Sequence, residues 1–116
     1  FYAPTLLDGV RDGMKIYRDE TFGPVAPVIT YDDVDEVISL ANDTDYGLAA
    51  YVYTNGVSTA IRAVERLNFG IIGVNDVNPT SAGAPFGGMA DSGIGREGSH
   101  EGIAEYLETK LAGLAI

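Results

Sequence analysis

The spacing of apolar residues switches between two periods along this chain, predicting strand, helix, strand, helix, strand through its middle. Val25 to Thr30 is dense in β-branched and apolar residues and reads as a buried strand, opened by Pro24 and interrupted by Pro27, so near a sheet edge or a bend. Val34, Val37, Ile38 and Ala41 then keep the i, i+3, i+4, i+7 spacing of an amphipathic helix. Asp32 and Asp33 give it an acidic start that suits its dipole, and Asn42-Asp43 ends it. Leu48 to Thr54 is rich in strand formers but alternates poorly, the pattern of a strand buried on both faces. Asn55-Gly56 would turn a hairpin if a strand came next. Instead Val57, Ala60, Ile61, Val64 and Leu67 recur at helical spacing, with Arg62, Glu65 and Arg66 facing out, and Gly70 to Asn75 forms a third strand. A strand-helix repeat of about 22 residues predicts parallel strands with right-handed crossovers.

Both ends of the chain are less regular. Phe1 to Glu20 mixes Leu6, Leu7, Val10 and Ile16 with glycines and charges, and reads as irregular structure with short extended pieces. Near the other end, Ser99 is expected to cap a short helix reaching Leu107, with Ile103, Tyr106 and Leu107 as its apolar face. Leu111 to Ile116 is apolar and uncharged; left in water it would be an aggregation-prone edge, so it is expected to pair with another sheet in a second subunit.

Between these parts lies Pro85-Phe86-Gly87-Gly88-Met89-Ala90-Asp91-Ser92-Gly93-Ile94-Gly95-Arg96-Glu97-Gly98, where glycines alternate with an aromatic ring and an Arg-Glu pair. Five glycines in so short a run imply a folded loop held close to a ligand or a neighbouring strand. Gly93 to Gly98 spells G-x-G-x-x-G, yet it lacks the preceding strand and the following βαβ unit that a dinucleotide fingerprint needs, so it reads as a structural turn.

Composition removes several functions. Seventeen acidic residues against seven basic ones give a net charge of −10, which repels nucleic acid and anionic membranes. The acids are scattered among helix starts and turns, as a solvated face is. No apolar run approaches the roughly 20 residues of a membrane span, and the N-terminus has no signal-peptide pattern, so a cytoplasmic protein is expected. With no cysteine and a single histidine, His100, neither a disulfide, a thiol nucleophile nor a metal site is expected. At 116 residues the chain has room for one modest domain.

Three motifs in order, Glu20-Thr21-Phe22-Gly23-Pro24-Val25, Asn42-Asp43-Thr44-Asp45-Tyr46-Gly47-Leu48-Ala49-Ala50 and the glycine-rich run, resemble the C-terminal part of the NAD(P)-dependent aldehyde dehydrogenases. The likeness runs from Phe1-Tyr2-Ala3-Pro4-Thr5 to the end, and Arg96-Glu97-Gly98-Ser99 with Glu105-Tyr106-Leu107-Glu108 is most similar to the succinate-semialdehyde branch. It implies an α/β fold: a partial three-layer domain with parallel strands and helical crossovers over residues 1–107, and an oligomerisation strand over 108–116. It also implies oxidation of an aldehyde, succinate semialdehyde included, to the acid with NAD or NADP. Such enzymes attack the aldehyde with a cysteine. The chain alone is therefore expected to be inactive and to need the rest of a parent enzyme, with a homo-oligomer formed through the tail. Phe1 without an initiating Met fits a fragment.

The site residues follow from the same resemblance. On their chemistry alone, Glu20 reads as a salt-bridge partner and Phe22 as a core residue. The resemblance instead implies that Glu20 binds the nicotinamide ribose through its two oxygens and that Phe22 contacts the nicotinamide ring. It places Phe86, fixed between Pro85 and two glycines, in the wall of the aldehyde tunnel. Thr80 and Ser81 stand where similar enzymes present a hydroxyl to the substrate's distal carboxylate, and a plain hydroxyl-bonded turn is the competing reading. Asn75 is expected to support these loops. Ala90 departs from a usual lysine, and Gly83-Ala84 are small for their positions; both bear on the substrate. The alternative function is a truncated, non-catalytic α/β oligomerisation or interaction module.

Overall fold

Three short ladders organise the chain, and each forms where local chemistry permits it. The computed structural model describes residues 1–116. The chain separates into two units, Phe1–Thr44 and Asp45–Ile116.

In the first unit, β1 (Thr5–Leu7) pairs in parallel with β2 (Val25–Pro27), in the register Thr5↔Val25 to Leu7↔Pro27. The expected strand to Thr30 is regular only to Pro27, although the Val28 N–H still donates to the Leu7 carbonyl at 2.8 Å and the Val28 carbonyl accepts from the Val10 N–H at 3.3 Å. Its partner β1 is one of the short extended pieces expected in the irregular first stretch. The connection carries one helical turn, α1 (Lys15–Arg18). Helix α2 (Val34–Asn42) starts where its acids predict. The Asp33 carboxylate accepts from the Glu36 N–H at 2.8 Å, and the Glu36 carboxylate accepts from the Asp32 N–H at 2.7 Å, a capping box displaced by one residue. Ile38 is buried at 4% exposure and Val10 at 5%, and they are the unit's core.

In the second unit, β3 (Tyr46–Gly47) pairs antiparallel with β6 (Met89–Ala90), while β4 (Ala49–Val52) and β5 (Ile71–Val74) pair in parallel across the crossover helix α3 (Val57–Arg66). This βαβ unit matches the predicted alternation, and the α/β class holds. The expected ladder is nevertheless divided, since β2 pairs with β1 and β4 with β5. Strand β4 is also only half-buried, with Tyr51 exposed, so the double-sided burial expected of Leu48–Thr54 is absent from this chain. On α3 the inner residues Ala63 and Leu67 are buried, but Val57, Ile61 and Val64 of the predicted apolar face stand exposed.

Helix α4 (Ser99–Ala104) is shorter than expected, and Ser99 does not cap it: Gly98 holds the N-cap position at φ +68°, without a side-chain bond. Ile103 on the helix, and Tyr106 and Leu107 beyond its end, are exposed. Residues 108–116 form no ladder in the single chain, and Leu111, Leu114 and Ile116 are exposed. Even two separately compact units of these lengths would expose only about 7,300 Å². The chain exposes 9180 Å², so much of its apolar surface is left uncovered by its own folding. No helix is long and apolar enough to cross a membrane.

Candidate functional site

The residues singled out in the sequence fall on two loops, one in each unit. In the first unit, Asp19–Pro24 leads from α1 into β2. It is crossed only by short contacts: the Thr21 hydroxyl donates to the Asp19 carbonyl at 3.3 Å, Gly23 N–H to the Thr21 carbonyl at 3.1 Å, and Val25 N–H to the Gly23 carbonyl at 2.8 Å. Glu20 is exposed and its carboxylate makes no hydrogen bond or ion pair. Phe22 is 95% exposed. The plain expectations of a salt-bridge carboxylate and a core phenylalanine are therefore both overturned within this chain. What stands there instead is an acceptor with two free oxygens and, two residues on, an uncovered aromatic face.

In the second unit, the loop after β5 begins with a clamp. Asn75 holds φ +54°, in the left-handed region that asparagine tolerates. Its backbone N–H donates to the Val52 carbonyl at 2.8 Å. Its side chain then accepts from the Thr54 N–H at 3.0 Å and donates to the Thr54 carbonyl at 2.9 Å, standing in for one more rung of the ladder. This happens at the carboxyl ends of two parallel strands, where open α/β sheets place their ligands. Asn75 supports the loop, as expected.

Along that loop, Thr80 and Ser81 are both exposed. The Thr80 hydroxyl donates to the Asn78 side-chain oxygen at 2.7 Å, and the Ser81 carbonyl accepts from the Ala84 N–H at 3.0 Å. The turn reading thus describes their bonds in the free chain. Both hydroxyls remain within reach of solvent.

Phe86 is held at both backbone groups by Glu97, through bonds of 2.8 and 2.7 Å, and its ring is 40% exposed. It borders a cavity of about 380 Å³ with Leu48, Gly88, Ser92, Arg96 and Glu105. Thr80 and Ser81 do not line this cavity. The glycines beside Phe86 have a steric reason. A Cβ on Gly70 would lie 1.8 Å from the Gly87 carbonyl oxygen, and one on Gly87 would lie 2.5 Å from that of Gly95. Arg96 locks the fold of the loop by donating from Nη1 to the carbonyls of Gly88 and Gly95 at 2.7 and 2.8 Å. Ser92 also matters, since its hydroxyl accepts from the Gly47 N–H at 3.0 Å and fastens the loop to β3. Nothing in the sequence marks that serine. Gly93–Gly98 is separated from the two-residue strand β6 by a turn, and no strand follows α4 to complete a βαβ unit. His100 is exposed, and no group of residues could hold a metal ion.

Residues 1–112 match the model of the aldehyde dehydrogenase family. The chain is 52% identical over 110 residues to a non-phosphorylating aspartate-semialdehyde dehydrogenase of Halomonas elongata, covering 95% of this chain and 22% of that protein. It is 47% identical to an NADP-dependent succinate-semialdehyde dehydrogenase of Escherichia coli, covering 95% of this chain and 23% of that protein. Among solved structures, it superposes on betaine aldehyde dehydrogenase from Staphylococcus aureus in complex with NAD+ with a TM-score of 0.90 at 42% identity, over 95% of this chain and 22% of that one. For a succinate-semialdehyde dehydrogenase from Burkholderia pseudomallei the TM-score is 0.86 at 45% identity, over 91% and 22%. The chain thus spans about a fifth of the length of these relatives. By its ordered motifs, its fold and these matches, the chain belongs to the aldehyde dehydrogenase family.

Proposed function

We propose that these residues are the C-terminal portion of an NAD(P)-dependent aldehyde dehydrogenase that oxidises a semialdehyde, such as succinate semialdehyde, to the corresponding acid. Glu20 accepts hydrogen bonds from the two hydroxyls of the nicotinamide-side ribose, and Phe22 packs against the nicotinamide. The observation that carries this reading is the Asp19–Pro24 loop, which presents an unengaged carboxylate and a bare phenyl ring two residues apart. An ionised carboxylate is an acceptor with two oxygens, which matches a vicinal diol, and an exposed aromatic face suits a planar ring. When bound, the nicotinamide accepts the hydride that the aldehyde carbon gives up.

Phe86 shapes the wall against which the aldehyde lies, and a hydroxyl of Thr80 or Ser81 donates to the distal carboxylate of the substrate. The sulfur nucleophile belongs to polypeptide other than these 116 residues, which contain no cysteine. The isolated chain therefore turns over no aldehyde. Leu111 to Ile116 add as a strand to a sheet of a second subunit; their exposure and lack of charge support this.

In the complete enzyme, Glu20→Gln keeps the shape of the side chain but weakens one acceptor and turns the other into an NH2 donor. The expected result is weaker cofactor binding or slower hydride transfer, with the KM for aldehyde little changed. Unchanged cofactor kinetics would remove the ribose role. Aldehyde-dependent NAD(P)H formation by the purified 116-residue chain would defeat the claim of inactivity.

A further inference from the structure

The Asp19–Pro24 loop has little to hold it from within, so its geometry is set at its two ends. At the far end, the Thr5 N–H donates to the Pro24 carbonyl at 2.8 Å and joins the loop to β1. At the near end stands Arg18, the last residue of α1. Its guanidinium reaches two segments distant in sequence. Nε and Nη2 donate to the Asp12 carboxylate at 3.0 and 2.8 Å, Nη2 also meets the Asp43 carboxylate at 2.9 Å, and Nη1 donates to the Asp43 backbone carbonyl at 3.2 Å. Asp43 is the C-cap of α2, so the cation also sits at the negative end of that helix. The guanidinium carbon lies 4.8 Å from the centroid of the Tyr17 ring.

We infer that Arg18 is a positioning residue for the cofactor: by clasping Asp12 and the C-terminus of α2, it fixes the direction in which Glu20 and Phe22 leave α1. The inference rests on the cofactor reading of those two residues.

Single exposed ion pairs contribute little, but a fork that engages two carboxylates and a carbonyl at once fixes geometry more than it adds stability. A lysine cannot reproduce it, because one ammonium does not span three acceptors in a plane. Asp12 is itself oriented by a bond of 2.8 Å from the Gly13 N–H, so the clasp closes on a preformed acceptor. Glu20 follows Arg18 by two residues, and nothing else in the chain orients its side chain.

The test uses the complete enzyme with Arg18→Ala, Arg18→Lys, Lys15→Ala and Glu20→Gln. Lys15, in the same helical turn, loses the same charge but takes no part in the clasp. Amide hydrogen exchange of the cofactor-free enzyme reads the loop directly, and titration with NAD(P)+ reads its function. Arg18→Ala is expected to speed exchange across residues 19–25 and raise the cofactor Kd about tenfold, the order of one misaligned hydrogen bond to a charged group. The KM for aldehyde should stay within about twofold, Arg18→Lys should fall between, and Lys15→Ala should match the parent. Unchanged exchange in Arg18→Ala overturns the inference whatever Glu20→Gln does. Faster exchange with unchanged cofactor Kd, while Glu20→Gln weakens binding, also overturns it and leaves the ribose reading standing. Should Glu20→Gln and Arg18→Ala both leave the Kd unchanged, the cofactor reading fails and the inference with it. An equal rise in the Kd for cofactor and the KM for aldehyde marks a merely structural role and refutes positioning.

Discussion

Replacing Gly70 by alanine perturbs the point where the βαβ unit meets the glycine-rich loop. Gly70 does not adopt a positive φ, so its backbone accepts an alanine, and at an open position such a change stabilises by about 0.4–1 kcal/mol through the unfolded state. Space decides the sign here. The added Cβ would sit 1.8 Å from the Gly87 oxygen, 2.9 Å from its carbonyl carbon and 3.3 Å from the Gly88 Cα. These are backbone atoms, and no side chain can rotate away to relieve them. Separation to normal contact requires a shift of more than about 1 Å, whereas overpacking by a methyl group already costs about 1–3 kcal/mol. The shift strains the bond of 3.0 Å from Gly70 N–H to the Gly47 carbonyl, worth a further 1 kcal/mol or so. The expected loss is about 2–4 kcal/mol against a typical total of about 5–15. Because Gly87 adjoins Phe86, the KM for aldehyde should rise as well. The assay compares thermal inactivation of the complete enzyme bearing Gly70→Ala with one bearing Gly83→Ala, where a Cβ would meet nothing within 4 Å. Equal half-lives for the two variants would refute the close-packing argument.

Two further outcomes follow from the clamps. Asn75→Ala removes both bonds to Thr54 and leaves a residue with a Cβ at φ +54°, so a loss of about 2 kcal/mol is expected, whereas Asn75→Gly keeps the backbone easy and should lose about 1; equal destabilisation in a denaturant titration would discount the left-handed strain. The hydrogen bond from Arg18, with help from the Gly13 N–H, holds the Asp12 carboxyl below its ordinary value of 3.8. A carboxyl lowered in the folded state contributes stability above that value and loses it as pH falls through the lowered one. The difference in thermal midpoint between the parent and Asp12→Asn should therefore be flat from pH 8 to about 5 and vanish only in more acid solution, below about pH 4; a difference that disappears near neutrality contradicts the pairing.

Helices α2 and α3 and the β4–α3–β5 unit were legible in the sequence because they depend on local periodicity, whereas the single turn of α1 was not. Val34 to Ala41 repeats at helical spacing behind Asp33, and Val57 to Leu67 does so behind Gly56. The ladders β1–β2 and β3–β6 were not legible, since segments of two and three residues carry no period. Burial failed as a reading for a different reason. Patterns such as Leu48–Thr54 report the apolar surface a segment has to hide, and they do not say whether the same chain hides it. The candidate site residues were picked out by resemblance, and their chemistry alone would have put Phe22 in the core. Arg18 was missed because a guanidinium clasp joins residues 12, 18 and 43, and no spacing rule links those numbers.

The thin core and the well-fixed loops fit together once the forces are separated. Hydrophobic burial is non-directional and scales with area, so an uncovered α3 face lowers stability without changing the route of any loop. Hydrogen bonds and close backbone contacts are directional and short-ranged. Arg18 at the start of the first loop, Asn75 at the start of the second, and Gly47, Gly70 and Gly87 beneath the third motif each act within a few ångströms and inside their own unit. Loop geometry is therefore written into these residues, while the exposed Val57, Ile61 and Val64 leave little apolar burial to stabilise their unit. Substitutions should divide along the same line: those in the clamps change binding together with local stability, and those on the open apolar faces change assembly and abundance without altering the loops.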